Sequence, residues 1–193
     1  NDIFLEIIVA PDFENDALEI LKMKKNRRLL KSKYDGDSSK YTVKNIPGGL
    51  LVQSVDNSSV DELNFQTVTE KKPSDKELED LKFAWIICKH TKSNAIVYVK
   101  DRKVLGVGAG QMSRIDSAKI AAMKAREHGH SLDGAVAASD AFFPFADGLL
   151  EIIENGIKSV IQPGGSVRDS EVIEAANENN ISMVVTGVRN FKH

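Results

Sequence analysis

Apolar runs bounded by turn residues alternate along this chain with stretches whose apolar positions recur every three or four residues. These two periods mark strands and amphipathic helices respectively. "IFLEIIVA" (3–10) is rich in β-branched residues and stops at Pro11, which predicts a buried strand. Ala17, Leu18 and Leu21 give "ENDALEILKMKK" a helical spacing. "DGDSSK" (35–40) is turn material, and "GGLLVQSVD" predicts another strand. Residues 56–75 are polar and contain a proline, the best candidate for an internal boundary. A helix starts cleanly after it: Ser74 and Glu77 form a capping-box pair, and Leu78, Leu81, Trp85 and Cys88 share one face. "NAIVYVK" and "KVLGVGAG" then read as an antiparallel hairpin around Asp101-Arg102, although Asp-Arg is not a preferred turn pair.

Beyond the hairpin the pattern runs helix, strand, helix, strand, helix, strand. Ile115, Ala118 and Ala122 mark the first helix, and "GAVAAS", "KSVIQ" and "ISMVVTG" are the strands. "GLLEIIENG" and "DSEVIEAANENN" are the intervening helices. This is the alternation of a parallel sheet with crossover helices, so the fold class is α/β, a hairpin followed by βαβαβ in a mixed sheet. Loops leaving the carboxyl ends of parallel strands gather at one edge, where such sheets bind ligands. Here those loops are "GAGQMSR", "DAFFPFAD", "PGGSVRD" and "GVRNFKH", which offer Arg114, Arg189, Asp147, Ser166 and the three phenylalanines of "FFPF". None is a bland polar connector.

Composition narrows the class without naming a ligand. Of 193 residues 41% are apolar and 28% charged, as in an ordinary globular protein, and the net charge of −2 gives no global reason to expect nucleic acid or a membrane surface. The lone Cys88 excludes an internal disulfide and suits a reducing compartment, here the cytoplasm. No apolar run is long enough to cross a bilayer. The chain starts at Asn1 and leads straight into a strand-like run, so it reads as a piece of a longer protein.

Each edge loop has a plain reading beside the chemical one. Gly106-x-Gly108-x-Gly110 matches neither the dinucleotide fingerprint nor a Walker loop. Gly108 and Gly110 serve either a tight turn or an anion or carbonyl held at a helix start by Ser113 and Arg114. "FFPF" is either core or one wall around a flat ligand. "PGGS" caps a helix with Ser166, presents N–H groups to an acceptor, or does both. Arg189 is either solvated or a ligand contact. His128 and His130 lack a cysteine partner, which argues against a metal site, and no nucleophile elbow is present.

Four ordered motifs carry a resemblance: "KSNAIVYVKDRKVLGVGAGQMSRIDSAKIA", "SDAFFPFADG", "VIQPGGSVRDSEVI" and the terminal "RNFKH". Together they resemble the bifunctional purine-biosynthesis family that joins AICAR formyltransferase to IMP cyclohydrolase. The resemblance runs from "EIIVAPDF" to His193 and points to the C-terminal part of the formyltransferase half. It implies a cytidine-deaminase-like fold for residues 73–193, and for residues 1–72 the end of a similar, preceding subdomain plus a linker. The zinc signature of deaminases is absent, so the fold and not metal chemistry is implied.

The family moves a formyl group from 10-formyltetrahydrofolate to the 5-amino group of AICAR. By motif, the resemblance implies that Asn94, Phe142 and Arg189 contact AICAR. Glu6, Arg114, Asp147, Ser166 and Val167 fall on the folate side, with His193 as a supporting group. No metal is implied, and family members are homodimers, with no nucleic acid or membrane as partner. The family's catalytic Lys-His pair precedes Asn-Pro-x-Gly; Lys89-His90 stands in "KHTKSN" and does not match it, so no catalytic residue is assigned. Ala146 stands where related sequences often carry arginine, which alters the charge beside Asp147. The expectation is a ligand cradle with little turnover of its own; the alternative is a non-catalytic folate- or nucleotide-binding module of the same fold.

Overall fold

A computed structural model describes residues 4–33, 40–56, 58–190 and 192. They fall into two compact units, 1–57 and 58–193. In the first, strand β1 (Ile7–Ala10), helix α1 (Asn15–Lys22) and strand β2 (Arg28–Lys31) form a βαβ unit with β1 and β2 parallel. Strand β2 lies in the "NRRLLK" segment, whose charge hides it from pattern reading. Strands β3 (Tyr41–Ile46) and β4 (Gly49–Ser54) form a hairpin about Pro47-Gly48, with Gly48 at φ +82°. Two-stranded sheets are too small to close a core, and none of the described residues 4–56 is buried.

The second unit holds one six-stranded mixed sheet. Strand β5 (Gln66–Thr67), inside the polar stretch expected to be a boundary, joins it as a short antiparallel edge. Helix α2 (Asp75–His90) leads to β6 (Ile96–Lys100) and β7 (Lys103–Gly108), the expected hairpin. Then follow α3 (Arg114–Glu127), β8 (Val136–Ser139), α4 (Ala146–Glu154), β9 (Ser159–Gln162), α5 (Asp169–Glu178) and β10 (Ser182–Val185). Strand order is β5-β10-β9-β8-β6-β7; β8, β9 and β10 are parallel, and β6 runs against both β8 and β7. The α/β mixed-sheet architecture is therefore the one expected.

Alternation along β6 divides the core into two. Val97 and Val99 face Leu81, Ala84, Trp85 and Cys88 of α2, while Ile96 and Tyr98 face α3 and α4. With both faces covered, β8 and β9 are buried at every position, which is why they read as short continuous apolar runs.

The capping box predicted at Ser74 is present: Glu77 N–H donates to Ser74 Oγ (3.3 Å) and Ser74 N–H to Glu77 Oε2 (2.8 Å). The other oxygen, Oε1, accepts from Ser159 Oγ of β9 (3.0 Å), tying the helix start to the sheet. Burial pushes the Glu77 pKa up, but the Ser74 N–H, the two hydroxyls and Lys71 outweigh it and hold it below the usual carboxylate range. The unfolded chain thus takes up this proton first. The stabilisation is complete above about pH 4.3 and is lost as pH falls through the folded value. Urea midpoints measured across the acid range should fall less steeply in Glu77→Gln than in the native chain.

Candidate functional site

Because β7, β8, β9 and β10 all point the same way, the four loops singled out in the sequence meet at one sheet edge. Strand β6 runs oppositely, so its beginning lies there too and brings Asn94 to the same place. Asn94 Nδ2 donates to the Gln111 carbonyl (2.8 Å), and its own carbonyl accepts from Ser117 Oγ of α3 (2.7 Å). Asn94 is thereby locked onto the loop that carries Arg114.

The glycines of that loop divide the work. A Cβ on Gly106 would lie 2.9 Å from the Ala121 carbonyl carbon, and one on Gly108 would lie 2.6 Å from that of Ser117. Both would be nearer still to the carbonyl oxygens, so these residues let α3 lie directly on β7 and do not face a ligand. Gly110, at φ +66°, makes the turn into the helix. Ser113 caps α3 by accepting from the Asp116 N–H (3.1 Å), which sets Arg114 in the first turn.

Arg114 is largely buried. Its Nη2 pairs with Asp140 Oδ1 (3.3 Å), and its Nε donates to Ser139 Oγ (3.3 Å). Burial and the nearby Arg189 guanidinium lower its pKa, and Asp140 opposes them. Two guanidiniums thus share one edge, a field that favours anionic ligand groups.

A cavity of about 280 Å³ opens here, lined by Asn94, Met112, Arg114, Phe145 and Asp147 among others. The phenylalanines separate by role. Phe143 is fully buried, with its N–H on Gln162 Oε1 (3.1 Å), whereas Phe145 is half exposed at the cavity. The Arg189 guanidinium lies 5.4 Å from the centre of the Phe142 ring, and that of Arg168 lies 4.6 Å from Phe145. Through this second stack the loop bearing Ser166 and Val167 adjoins the cavity wall, with Val167 fully exposed.

In "PGGS" the acceptor expected for the loop N–H groups is internal. Asp169 takes those of Gly165 (2.7 Å) and Ser166 (3.2 Å), and Arg168 rather than Ser166 is the helix N-cap. A second cavity, of about 450 Å³, borders this loop beside Gln66, Val185 and Thr186. Asn94, Arg114 and Asp147 therefore line one space, and Phe142 touches Arg189. Glu6 belongs to the first unit, where its carbonyl accepts from the Arg28 N–H (2.8 Å). His193 lies outside the described residues. Lys89 Nζ donates to the Ser58 carbonyl (2.9 Å) and hydroxyl (3.2 Å), a structural tie for a residue whose dipeptide with His90 resembles a catalytic pair.

Pattern reading passed over two residues. Asp140 is wholly buried and pairs with Arg114 of the cavity lining. Asn190 is almost wholly buried, and neither its Nδ2 nor its Oδ1 has a hydrogen-bond partner among the described residues. The available signal was position: each follows a sheet strand at the shared edge.

A family model described as AICARFT/IMPCHase bienzyme matches residues 1–124. The chain belongs to the AICARFT/IMPCHase bienzyme family. It is 56% identical over its full 193 residues to the bifunctional purine biosynthesis protein PurH of Chlorobium chlorochromatii (strain CaD3), and spans 37% of that protein's length. The PurH of Bradyrhizobium diazoefficiens is 52% identical, with 99% of this chain and 38% of that one aligned. A dCMP deaminase from the cyanophage S-TIM5 is similar in structure at 19% identity and a TM-score of 0.39, over 59% of this chain and 98% of that chain. The PurH alignment with the Chlorobium protein includes the segments beyond residue 124 that carry Asp147, Ser166 and Arg189 in this AICARFT/IMPCHase chain.

Proposed function

We propose that this chain supplies the ligand cradle for formyl transfer from 10-formyltetrahydrofolate to AICAR, in the synthesis of IMP. In that reaction the AICAR amine nitrogen bonds to the formyl carbon as the carbon–N10 bond breaks. The amine gives up one proton and N10 gains one. Asn94, Phe142 and Arg189 serve AICAR, while Arg114, Asp147, Ser166, Val167 and Glu6 serve the folate, with His193 in support. The Lys-His pair that performs the proton transfer in the family, and the IMP cyclohydrolase domain, belong to parts of the protein beyond these residues. Residues 1–72 supply the end of the preceding subdomain and a linker, and residues 73–193 the second subdomain. The working protein is a cytoplasmic homodimer and needs no metal.

The observation that carries this reading is the single cavity lined by Asn94, Arg114 and Asp147 with Phe145 on its wall. Its chemistry suits the ligands: a pterin is flat, with apolar faces and N–H groups along its rim. An aromatic wall, a guanidinium and a carboxylate answer those features.

Calorimetric titration with a non-transferable 10-formylfolate analogue, with and without AICAR, tests the reading. Arg114→Ala should weaken analogue binding about 100-fold, or ~2.8 kcal/mol. Unchanged affinity in Arg114→Ala would remove Arg114 from the folate site. Binding without turnover by any assembly of the whole protein would favour the non-catalytic module.

A further inference from the structure

Three of the candidate ligand contacts, from three separate loops, are tied to one residue that does not line the cavity. Asp140 has no exposed surface. Its Oδ2 accepts from Ser93 Oγ, and its Oδ1 accepts from the Ala95 N–H (3.0 Å) and from Arg114 Nη2 (3.3 Å). Ser93 and Ala95 flank Asn94, so the carboxylate holds the backbone of Asn94 from both sides. The Asp140 carbonyl accepts from the Asn190 N–H (3.2 Å), the residue next to Arg189.

We propose that Asp140 is the positioning residue of this site: its buried carboxylate sets Asn94 and Arg114 relative to one another, and its main-chain carbonyl holds Asn190, next to Arg189. The proposal rests on the reading of Asn94, Arg114 and Arg189 as ligand contacts. A carboxylate suits the role because it is acceptor-only, and three donors converge on it. An asparagine there has one carbonyl oxygen for these donors, and its NH2 meets either the Ala95 N–H and the guanidinium, which cannot accept, or the Ser93 hydroxyl, which must reverse to accept. The Arg114 guanidinium then loses its charge partner and is left with Ser139 as its one fixed acceptor among the described residues. Ser139 completes the arrangement on the Arg114 side, accepting from Arg114 Nε while donating to the Ala141 carbonyl (2.7 Å). Asp140 touches no ligand in this scheme and acts through its neighbours.

The test is separate calorimetric titration of the full chain with AICAR and with the non-transferable folate analogue. Asp140→Asn should weaken both about 10- to 100-fold, the scale expected when a contact group is misplaced by about an ångström. In an Arg114→Ala background Asp140→Asn should add little to the folate loss but keep its effect on AICAR. Native affinity for both ligands in Asp140→Asn would overturn the proposal, as would fully additive folate losses, the pattern of a merely structural residue.

If Asp140→Asn does not fold, two smaller changes decide. Ser93→Ala should weaken AICAR alone, and Ser139→Ala the folate analogue alone; equal effects on both ligands would overturn the proposal. If the native chain binds neither ligand, the ligand reading has failed and positioning is judged by NMR. The Arg114 Nη2 protons, which face Asp140, should then exchange slowly in the native chain and rapidly in Asp140→Asn. An unchanged rate would overturn it.

Discussion

Gly108→Ala is expected to destabilise the fold more than Asp80→Ala or Gly129→Ala. The added methyl would lie 2.6 Å from the Ser117 carbonyl carbon, nearer still to its oxygen, and 2.7 Å from its Cα. These are backbone atoms of α3, so relief requires moving the helix off β7 rather than rotating a side chain. Over-packing of this kind costs about 3 kcal/mol or more, a large part of the ~5–15 kcal/mol that holds a typical domain together. Gly129→Ala provides the contrast. Gly129 sits at φ +74° with nothing near its would-be Cβ, so only the left-handed conformation is penalised, at about 1 kcal/mol. Urea midpoints of the two variants should differ clearly, Gly108→Ala being the weaker; equal midpoints would mean that α3 yields freely. Since Arg114 opens α3, any Gly108→Ala protein that does fold should also lose the Arg114–Asp140 pairing.

Asp80→Ala should be nearly as damaging. Asp80 of α2 is buried, and its carboxylate accepts from the Asp101 N–H (2.9 Å) and the Arg102 N–H (2.6 Å) at the tip of the β6–β7 hairpin. Asp101 and Arg102 stand at φ +53° and +54°, the left-handed pair that a tight hairpin demands, which Asp tolerates and Arg does not favour. The Asp80 carboxylate offsets that strain, and loss of two charge-assisted bonds should cost about 3 kcal/mol. Arg102→Gly removes strain without touching Asp80 and should stabilise the chain by up to about 1 kcal/mol. Thermal unfolding of both variants checks the pair of expectations; a destabilised Arg102→Gly would show that the turn is not strained.

That turn also shows where local reading stops. Asp-Arg is a poor turn pair by its own preferences, and the chain keeps it because a carboxylate from a helix 21 residues earlier satisfies its N–H groups. Strand β2 was hidden for a related reason. Its arginine and lysine lie on a two-stranded sheet with no buried residue, so no apolar alternation marks it. The Gly-rich loop is the third case. Its glycines looked suited to a ligand, and two of the three instead make room for a helix, because proximity in sequence does not reveal which backbone lies above a strand.

Pattern along the chain sets the order and type of the elements from Ser74 onward, and the edge at which their loops meet. Periodicity and capping are local properties, and a parallel sheet with helical crossovers leaves one place for those loops. Arg114 and Asp147 were legible at that edge for the same reason, whereas Asn94 was reached only through the resemblance of its motif. Only the tertiary structure decided how they are held. The Asp140 carboxylate gathers donors from segments 26 to 47 residues away, the β6 start reaches the site because that strand runs backwards, and the side-chain amide of Asn190 is buried without a partner among the described residues. Burial and hydrogen bonding are relations between distant segments, and no pattern along the chain encodes which of them will meet.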